Sequence, residues 1–142
     1  MYSSRFVTSV NWRHIMLGEI RAGRPVGFHF RSGQNSRLRK VQAARAEVVS
    51  IKYQPDVQGV FGADVRICDA PNRTWLGKYS TFFPDSWSVQ ELRADVLGVV
   101  QGRAFQPVKS KYGGGQSISH RGLLIRWYFS ASGQVDTAFP LR

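Results

Sequence analysis

The stretch that decides the fold is Gly77–Glu91, with the sequence GKYSTFFPDSWSVQE. Its first half, through Phe83, has the aromatic and β-branched composition of a strand, and Pro84 ends that strand. Ser88 and Glu91 then have the spacing of a capping box, in which each side chain satisfies a backbone N–H at the beginning of a helix. The stretch therefore predicts a strand, a short turn and a helix in direct succession.

Working outward, the helix continues along an apolar stripe to about Gln101. A short helix is predicted at 11–19, with Asn11 as its N-cap. Four further strands are predicted, at residues 47–53, 60–68, 123–129 and 134–139, the last two joined by a turn. An N-terminal helical region, followed by mostly antiparallel sheets with one long helix, predicts an α+β fold.

The composition indicates a basic, single-domain protein. The chain has 142 residues, with 20 Lys and Arg against 9 Asp and Glu, for a formal net charge of +11. We expect one domain, residues 1–142, and a monomer. Such a charge attracts polyanions, so nucleic acid, an anionic membrane or an acidic protein is the favoured partner. No apolar run reaches the roughly 18 residues of a membrane span, and the N-terminus lacks the apolar core of a signal peptide.

Cys68 is the one cysteine of the chain. A lone cysteine forms no internal disulfide, and no Cys/His cluster suggests zinc, which excludes a disulfide-stapled domain and a zinc finger. Its strand context predicts a buried thiol.

A basic run extends from Arg21 to Arg45, with seven Lys and Arg residues and no acid. Glycines and Pro25 predict a loop-rich stretch here, interrupted by a short apolar piece at 26–30 that includes Phe28 and His29. Cationic side chains around a few rings suit RNA, because charge holds phosphates and rings stack on bases. A solvated basic loop is the alternative.

The histidines suggest a specific chemistry. His14 and His29 lie 15 residues apart across the loop-rich stretch. Two imidazoles cleave RNA when one removes the 2′-OH proton and the other protonates the leaving 5′-oxygen, and a pKa near 6.5 suits both roles. The spacing is equally consistent with two ordinary histidines, and His120 is predicted to be an exposed loop residue.

Three blocks of the chain resemble segments of the EndoU-type endoribonucleases. The first is His14–Glu19 (HIMLGE) with Gly27-Phe28-His29, which is similar to the family's paired-histidine region. The second, residues 78–88 (KYSTFFPDSWS), resembles a segment of the bacterial members. The third, residues 133–140 (GQVDTAFP), is similar to the family's C-terminal hairpin end. The blocks follow the family's order over nearly the whole chain.

The resemblance implies the compact nuclease fold shared by barnase-like and EndoU-like toxins, and cleavage of RNA, often 3′ of uridine. It implies that His29 is the general base, His14 the general acid and Lys78 the residue that stabilises the transition state. Arg13 stands where eukaryotic members have Glu, so their proposed metal site is incomplete and we predict no metal and no cofactor. Glu19 is expected to orient the His14 segment.

The resemblance also implies which residues contact the RNA base. A hydroxyl after the lysine, on Ser80 or Thr81, and two residues of the last strand, Thr137 and Phe139, are the candidates. A hydroxyl reads the Watson–Crick edge of uracil and a ring stacks on the base. Phe139 stands where viral relatives carry Tyr, and it also fits a core aromatic at a strand end.

The biological setting is likewise implied by the resemblance. Such modules are delivered as parts of larger secreted toxins, as in contact-dependent inhibition, and act in the target-cell cytoplasm. The expected partners are RNA and an acidic cognate immunity protein. A non-catalytic RNA-binding module explains the charge and aromatics equally well, and a structural or DNA-directed nuclease is a third possibility.

Overall fold

The computed structural model describes residues 9–33 and 35–142. The N-terminal five residues, where no signal peptide is predicted, lie outside this part of the chain. The helices are α1 (Trp12–Leu17), α2 (Ser36–Ala43) and α3 (Val89–Val100). The strands are β1 (Glu19–Arg21), β2 (Arg24–Val26), β3 (Ala46–Tyr53), β4 (Phe61–Asp69), β5 (Thr74–Phe82), β6 (Gln106–Val108), β7 (Gly114–Ile118), β8 (Leu124–Phe129) and β9 (Val135–Pro140). No helix among the described residues is long and apolar enough to cross a membrane.

The strands form three antiparallel sheets, which confirms the α+β prediction. β1 and β2 make a hairpin, β3-β4-β5 make a three-stranded sheet, and β6-β7-β8-β9 make a four-stranded sheet. In addition, Val10 forms an isolated parallel bridge with Val135, so the segment before α1 lies along the edge strand β9. The two ends of the described chain therefore meet at the same sheet edge.

The capping box at the beginning of α3 is present as predicted. Ser88 Oγ accepts the Glu91 N–H at 3.1 Å, and the Ser88 N–H donates to Glu91 Oε1 at 2.8 Å. The buried stripe of α3, which includes Leu92 and Val96, packs in one core with α1 and with Trp127 of the four-stranded sheet. α3 thus fixes the four-stranded sheet against the N-terminal helix.

A second core covers one face of the three-stranded sheet. Phe61 and Phe82 stack there with ring centroids 4.9 Å apart, and Phe28 meets Phe82 edge to face at 5.0 Å. Phe30, two residues along the chain from Phe28, belongs instead to the core under α3. The segment 28–30 therefore joins the two cores, and His29 lies between these anchors.

The basic run differs from the loop-rich stretch predicted for it. It contains the β1–β2 hairpin and the eight-residue helix α2, whose N-cap Asn35 accepts the Leu38 N–H through its side chain. The sequence gives α2 only a weak signal, because Arg and Lys occupy most of its surface and few apolar residues form a stripe.

The glycine run after α3 is a further correction, because it is not simply a turn. Gly114 and Gly115 lie in β7, and a Cβ on Gly115 would come within 2.6 Å of the Trp127 ring. A glycine is therefore required in this strand by close packing. Cys68, predicted to be buried, is half-buried.

Candidate active site

His14 is held in α1, near the end of that helix. The side chain of Asn11 accepts the His14 N–H at 3.2 Å and caps the helix, and Gly18 ends it with a φ of 70°. The His14 side chain is buried, and its Nδ1 lies 2.7 Å from Glu19 Oε2. An ionised carboxylate only accepts hydrogen bonds, so Nδ1 carries a proton. The second ring nitrogen, Nε2, is then the one left for chemistry.

Glu19 belongs to an ion-pair network that reaches the last strand. Arg21 donates to Glu19 Oε2 at 2.7 Å and forms a two-pronged ion pair with Asp136, at 2.5 and 2.7 Å. Between β8 and β9 the register shifts so that Asp136 is the extra residue of a β-bulge. A bulge redirects a side chain, and here it accompanies the contact with Arg21.

The network sets the charge beside His14. Partial burial raises the pKa of Glu19, but the hydrogen bond with His14 and the charge of Arg21 outweigh it, so this pKa is lowered and Glu19 is ionised. Burial lowers the pKa of His14 below its usual 6.5, while the hydrogen bond with Glu19 raises it in opposition. Glu19 therefore keeps the His14 cation accessible, as expected of a residue that orients His14.

His29 is positioned by backbone hydrogen bonds on both sides. Its N–H donates to Ile15 O at 2.7 Å, and its carbonyl accepts the Phe83 N–H at 2.9 Å. Its Nδ1 lies 2.8 Å from Thr81 O. A carbonyl oxygen only accepts, so Nδ1 carries the proton and Nε2 of the neutral ring has a free lone pair. Burial, and then the charge of Lys78, lowers the pKa of His29 to about 3, which keeps the ring neutral at physiological pH.

Gly27 brings the third predicted residue to the two histidines. Lys78 Nζ donates to Gly27 O at 2.9 Å, and Ser80 Oγ donates to the same oxygen at 3.2 Å. A Cβ on Gly27 would lie 2.3 Å from His14 O and 2.9 Å from the His14 ring, and its φ is 81°. The position therefore requires glycine for two reasons: backbone conformation and close packing on His14. Burial lowers the pKa of Lys78 to about 8.

The residues predicted to contact substrate lie around His29 but present different groups. Ser80 is buried, at 2% exposure, and its hydroxyl is engaged by Gly27. Thr81 is half-buried and binds His29 through its backbone oxygen. Thr137 has a buried hydroxyl with no hydrogen-bond partner among the described residues. Phe139 stacks on the His29 ring with centroids 5.2 Å apart.

Gln42 is a positioning residue that the sequence does not reveal. Its buried amide donates to Met16 O and Phe30 O, both at 2.8 Å, and accepts the Ser32 N–H at 3.1 Å. It thus ties α1 to the segment that follows His29. A single glutamine in a basic helix has no distinguishing pattern, since its partners are 10 to 26 residues away. The Arg21–Asp136 pair, 115 residues apart, is equally invisible in the sequence.

A mixed α+β core that brings two buried imidazoles and a lysine to one glycine defines a protein equipped for proton transfer next to a stabilising cation. The comparison with protein families makes this specific: the profile of the bacterial EndoU nucleases matches residues 9–142, and the chain belongs to that family. The match covers α1 through β9, including all three predicted catalytic residues.

A curated relative is described as a toxin, from Bacillus cereus. It is 28% identical to this chain over 129 residues, which are 90% of this chain and 22% of the relative. The chain thus spans about a fifth of the length of that relative. No solved structure matches the chain significantly.

Proposed function

We propose that the chain is a metal-independent endoribonuclease that cleaves single-stranded RNA, at uridine or another pyrimidine, to 2′,3′-cyclic phosphate and 5′-OH ends. The observation that carries this proposal is the pair of Nδ1 contacts. His14 Nδ1 faces the Glu19 carboxylate, and His29 Nδ1 faces the Thr81 carbonyl. A carboxylate partner favours an imidazolium, the form of a general acid, whereas a neutral carbonyl partner in a buried place favours a neutral base.

The reaction needs no group beyond these residues. His29 Nε2 accepts the proton of the ribose 2′-OH while O2′ bonds to phosphorus. The bond from phosphorus to O5′ breaks, and His14 gives its Nε2 proton to that oxygen. Lys78 stabilises the negative charge that develops on the phosphorane oxygens, in a half-buried place where charge is poorly screened. DNA lacks the 2′-OH and is not a substrate.

Base selection is assigned to the surface beside His29. Phe139 offers a ring to stack on the base, and Thr81 and Thr137 are the hydroxyls nearest in sequence to the groups that contact His29 and Phe139. Ser80 holds the Gly27 carbonyl, so its contribution is to fix Gly27 next to Lys78. A buried hydroxyl without a partner is costly, and a uracil edge would satisfy Thr137.

We also propose a biological role for this activity. Because the relative from Bacillus cereus is a toxin of which this chain matches 22%, the chain is the nuclease portion of a larger delivered toxin. It acts in the target-cell cytoplasm. An acidic immunity protein covers His14, His29 and Lys78, since the net charge of +11 favours an acidic partner.

The decisive experiment incubates the protein with end-labelled RNA in EDTA and identifies the ends formed. We expect cyclic-phosphate and 5′-OH ends. His29→Ala should bind RNA as the wild type does and no longer cut it. His120→Ala is the matched control, because His120 is an exposed turn residue, and it should cut normally. A wild-type protein that binds RNA without cutting it is a non-catalytic module, and one that cuts DNA with the same histidines contradicts the mechanism.

A further inference from the structure

The outward face of the four-stranded sheet carries a row of polar side chains that ends next to His29. The register pairs Gln106 with Gln116, Gln116 with Arg126, and Arg126 with Phe139, so these four residues lie side by side across β6, β7, β8 and β9. Their neighbours along the strands, such as Trp127, face the core. We call Gln106, Gln116 and Arg126 the polar row.

The hydrogen bonds of the polar row all point in one direction. Arg126 donates through Nε and Nη2 to Gln116 Oε1, at 3.0 and 2.7 Å, and Gln116 Nε2 donates to Gln106 Oε1 at 3.1 Å. A guanidinium has no acceptor, so Gln116 must present its oxygen to Arg126 and its amide nitrogen to Gln106. Gln106 in turn presents its oxygen to Gln116 and is left with its Nε2 donor free.

The polar row therefore presents donors and positive charge to solvent. Both amide oxygens are used within the row, while N–H groups of all three side chains remain for a ligand. No described carboxylate forms an ion pair with Arg126, in contrast to Arg21 and Arg31. An anion with several acceptor oxygens suits this set, and the guanidinium is already held in place, which reduces the entropy lost on binding.

The row is continuous with the candidate active site through aromatic rings. Phe139 stacks on His29 and contacts the Tyr128 ring at 5.9 Å. Neighbouring strands are about 4.8 Å apart, so Phe139 and Gln106 are separated by roughly 14 Å. A strand of RNA whose reactive nucleotide lies at His29 and Phe139 can extend across the sheet over this distance.

We propose that the polar row binds the phosphate backbone of the RNA beyond the cleaved bond, with Arg126 as the main phosphate contact. The proposal rests on the proposed ribonuclease function, because it assigns the path of the same substrate. It predicts that the row matters more for an oligonucleotide than for a dinucleotide, which is too short to cross the sheet.

Two variants test the row. Arg126→Gln removes the charge, and Gln116→Glu keeps an acceptor for Arg126 while neutralising it, so the second variant preserves the contact if the first destabilises the sheet. For an oligonucleotide with a single central uridine, we expect kcat/KM to fall about tenfold further than for a uridine-containing dinucleotide, mainly through KM. Arg73→Gln, on the β4–β5 turn, removes the same charge and should not show this difference.

Binding of a non-cleavable 2′-O-methyl oligonucleotide separates this proposal from the proposed function. Both row variants should weaken binding and reduce the slope of log affinity against log salt by about one, as expected for one lost phosphate contact. This result supports the row even if the wild type cuts no RNA. Equal loss on both cleavage substrates, or unchanged binding by both variants, overturns the proposal and leaves the face for another partner, such as an acidic protein.

Discussion

At the scale of single residues, the two histidines differ mainly in the group that meets Nδ1. His14 has a carboxylate that is itself held by Arg21, whereas His29 has a backbone carbonyl and lies at 8% exposure beside Lys78. Both pKa values are lowered by burial, but only that of His14 is raised in opposition by a negative partner. The two rings therefore divide the roles of acid and base at the same pH.

A change at Glu19 should move the pH dependence of the reaction. The hydrogen bond and charge of Glu19 raise the pKa of His14, so Glu19→Gln lowers that pKa further below 6.5. A general acid works below its pKa, so the alkaline limb of the kcat/KM profile should shift to lower pH and the rate at pH 7 should fall. Glu47→Gln, which alters an exposed ion pair with Arg66, is the control. An unmoved limb would assign it to another group.

A change at Lys78 tests charge stabilisation. Lys78→Met keeps much of the side-chain volume and removes the cation, so we expect kcat to fall by about 10²–10³, as for the loss of one preorganised donor. The charge of Lys78 also lowers the pKa of His29, which should therefore rise in this variant and be visible in an NMR titration. Lys52→Met, on the exposed surface of β3, should change neither quantity. A variant with full kcat would remove Lys78 from the mechanism.

At the scale of elements, the β1–β2 hairpin and the segment 27–29 act as a spacer between α1 and β5. The Phe28 N–H donates to His14 O at 2.9 Å, so the backbone follows α1 closely before it reaches β5. Phe28 itself has a φ of 67°, an uncommon conformation for a side chain of its size. Burial of its ring in the core of the three-stranded sheet offsets that strain.

Two glycines next to this segment separate conformation from packing. Gly23 and Gly27 both have positive φ, so alanine at either costs about 1–2 kcal/mol for the backbone. Only at Gly27 does the new Cβ meet His14; at Gly23 it meets nothing within 4 Å. We expect Gly23→Ala to lower the midpoint of thermal unfolding modestly and retain activity, and Gly27→Ala to lose about a hundredfold in kcat, because displaced catalytic groups are costly. Equal activities would contradict the contact.

The elements that sequence predicts well are those with local signals. α3 is predicted by Ser88 and Glu91, three residues apart, and the three catalytic candidates are found by motifs that are contiguous in the chain. β7 is missed because Gly114 and Gly115 resemble a turn, and only the Trp127 ring of the next strand explains them. Contacts such as Gln42 with Met16 depend on the fold itself, so no local pattern contains them.

At the scale of the whole molecule, the net charge of +11 governs the encounter with RNA. Phosphate binding releases counterions, so affinity falls as salt rises, with a slope of about −0.7 per contact for single strands. For three contacts we expect kcat/KM on an oligonucleotide to fall roughly tenfold to twentyfold between 50 and 200 mM NaCl. Stopped-time assays below KM measure it, and kcat at saturating RNA should change much less. A salt-independent kcat/KM would contradict an electrostatic role for the basic surface.

The order in which the chain is made gives the sheet-edge closure a further consequence. Asn11 donates its N–H to Val135 O, and His29 meets Phe139. Synthesis proceeds from the N-terminus, so both histidines leave the ribosome long before the last strand that completes their surroundings. The candidate site therefore assembles only after residue 139 has emerged, and the growing chain stays inactive while the message that encodes it is still being translated.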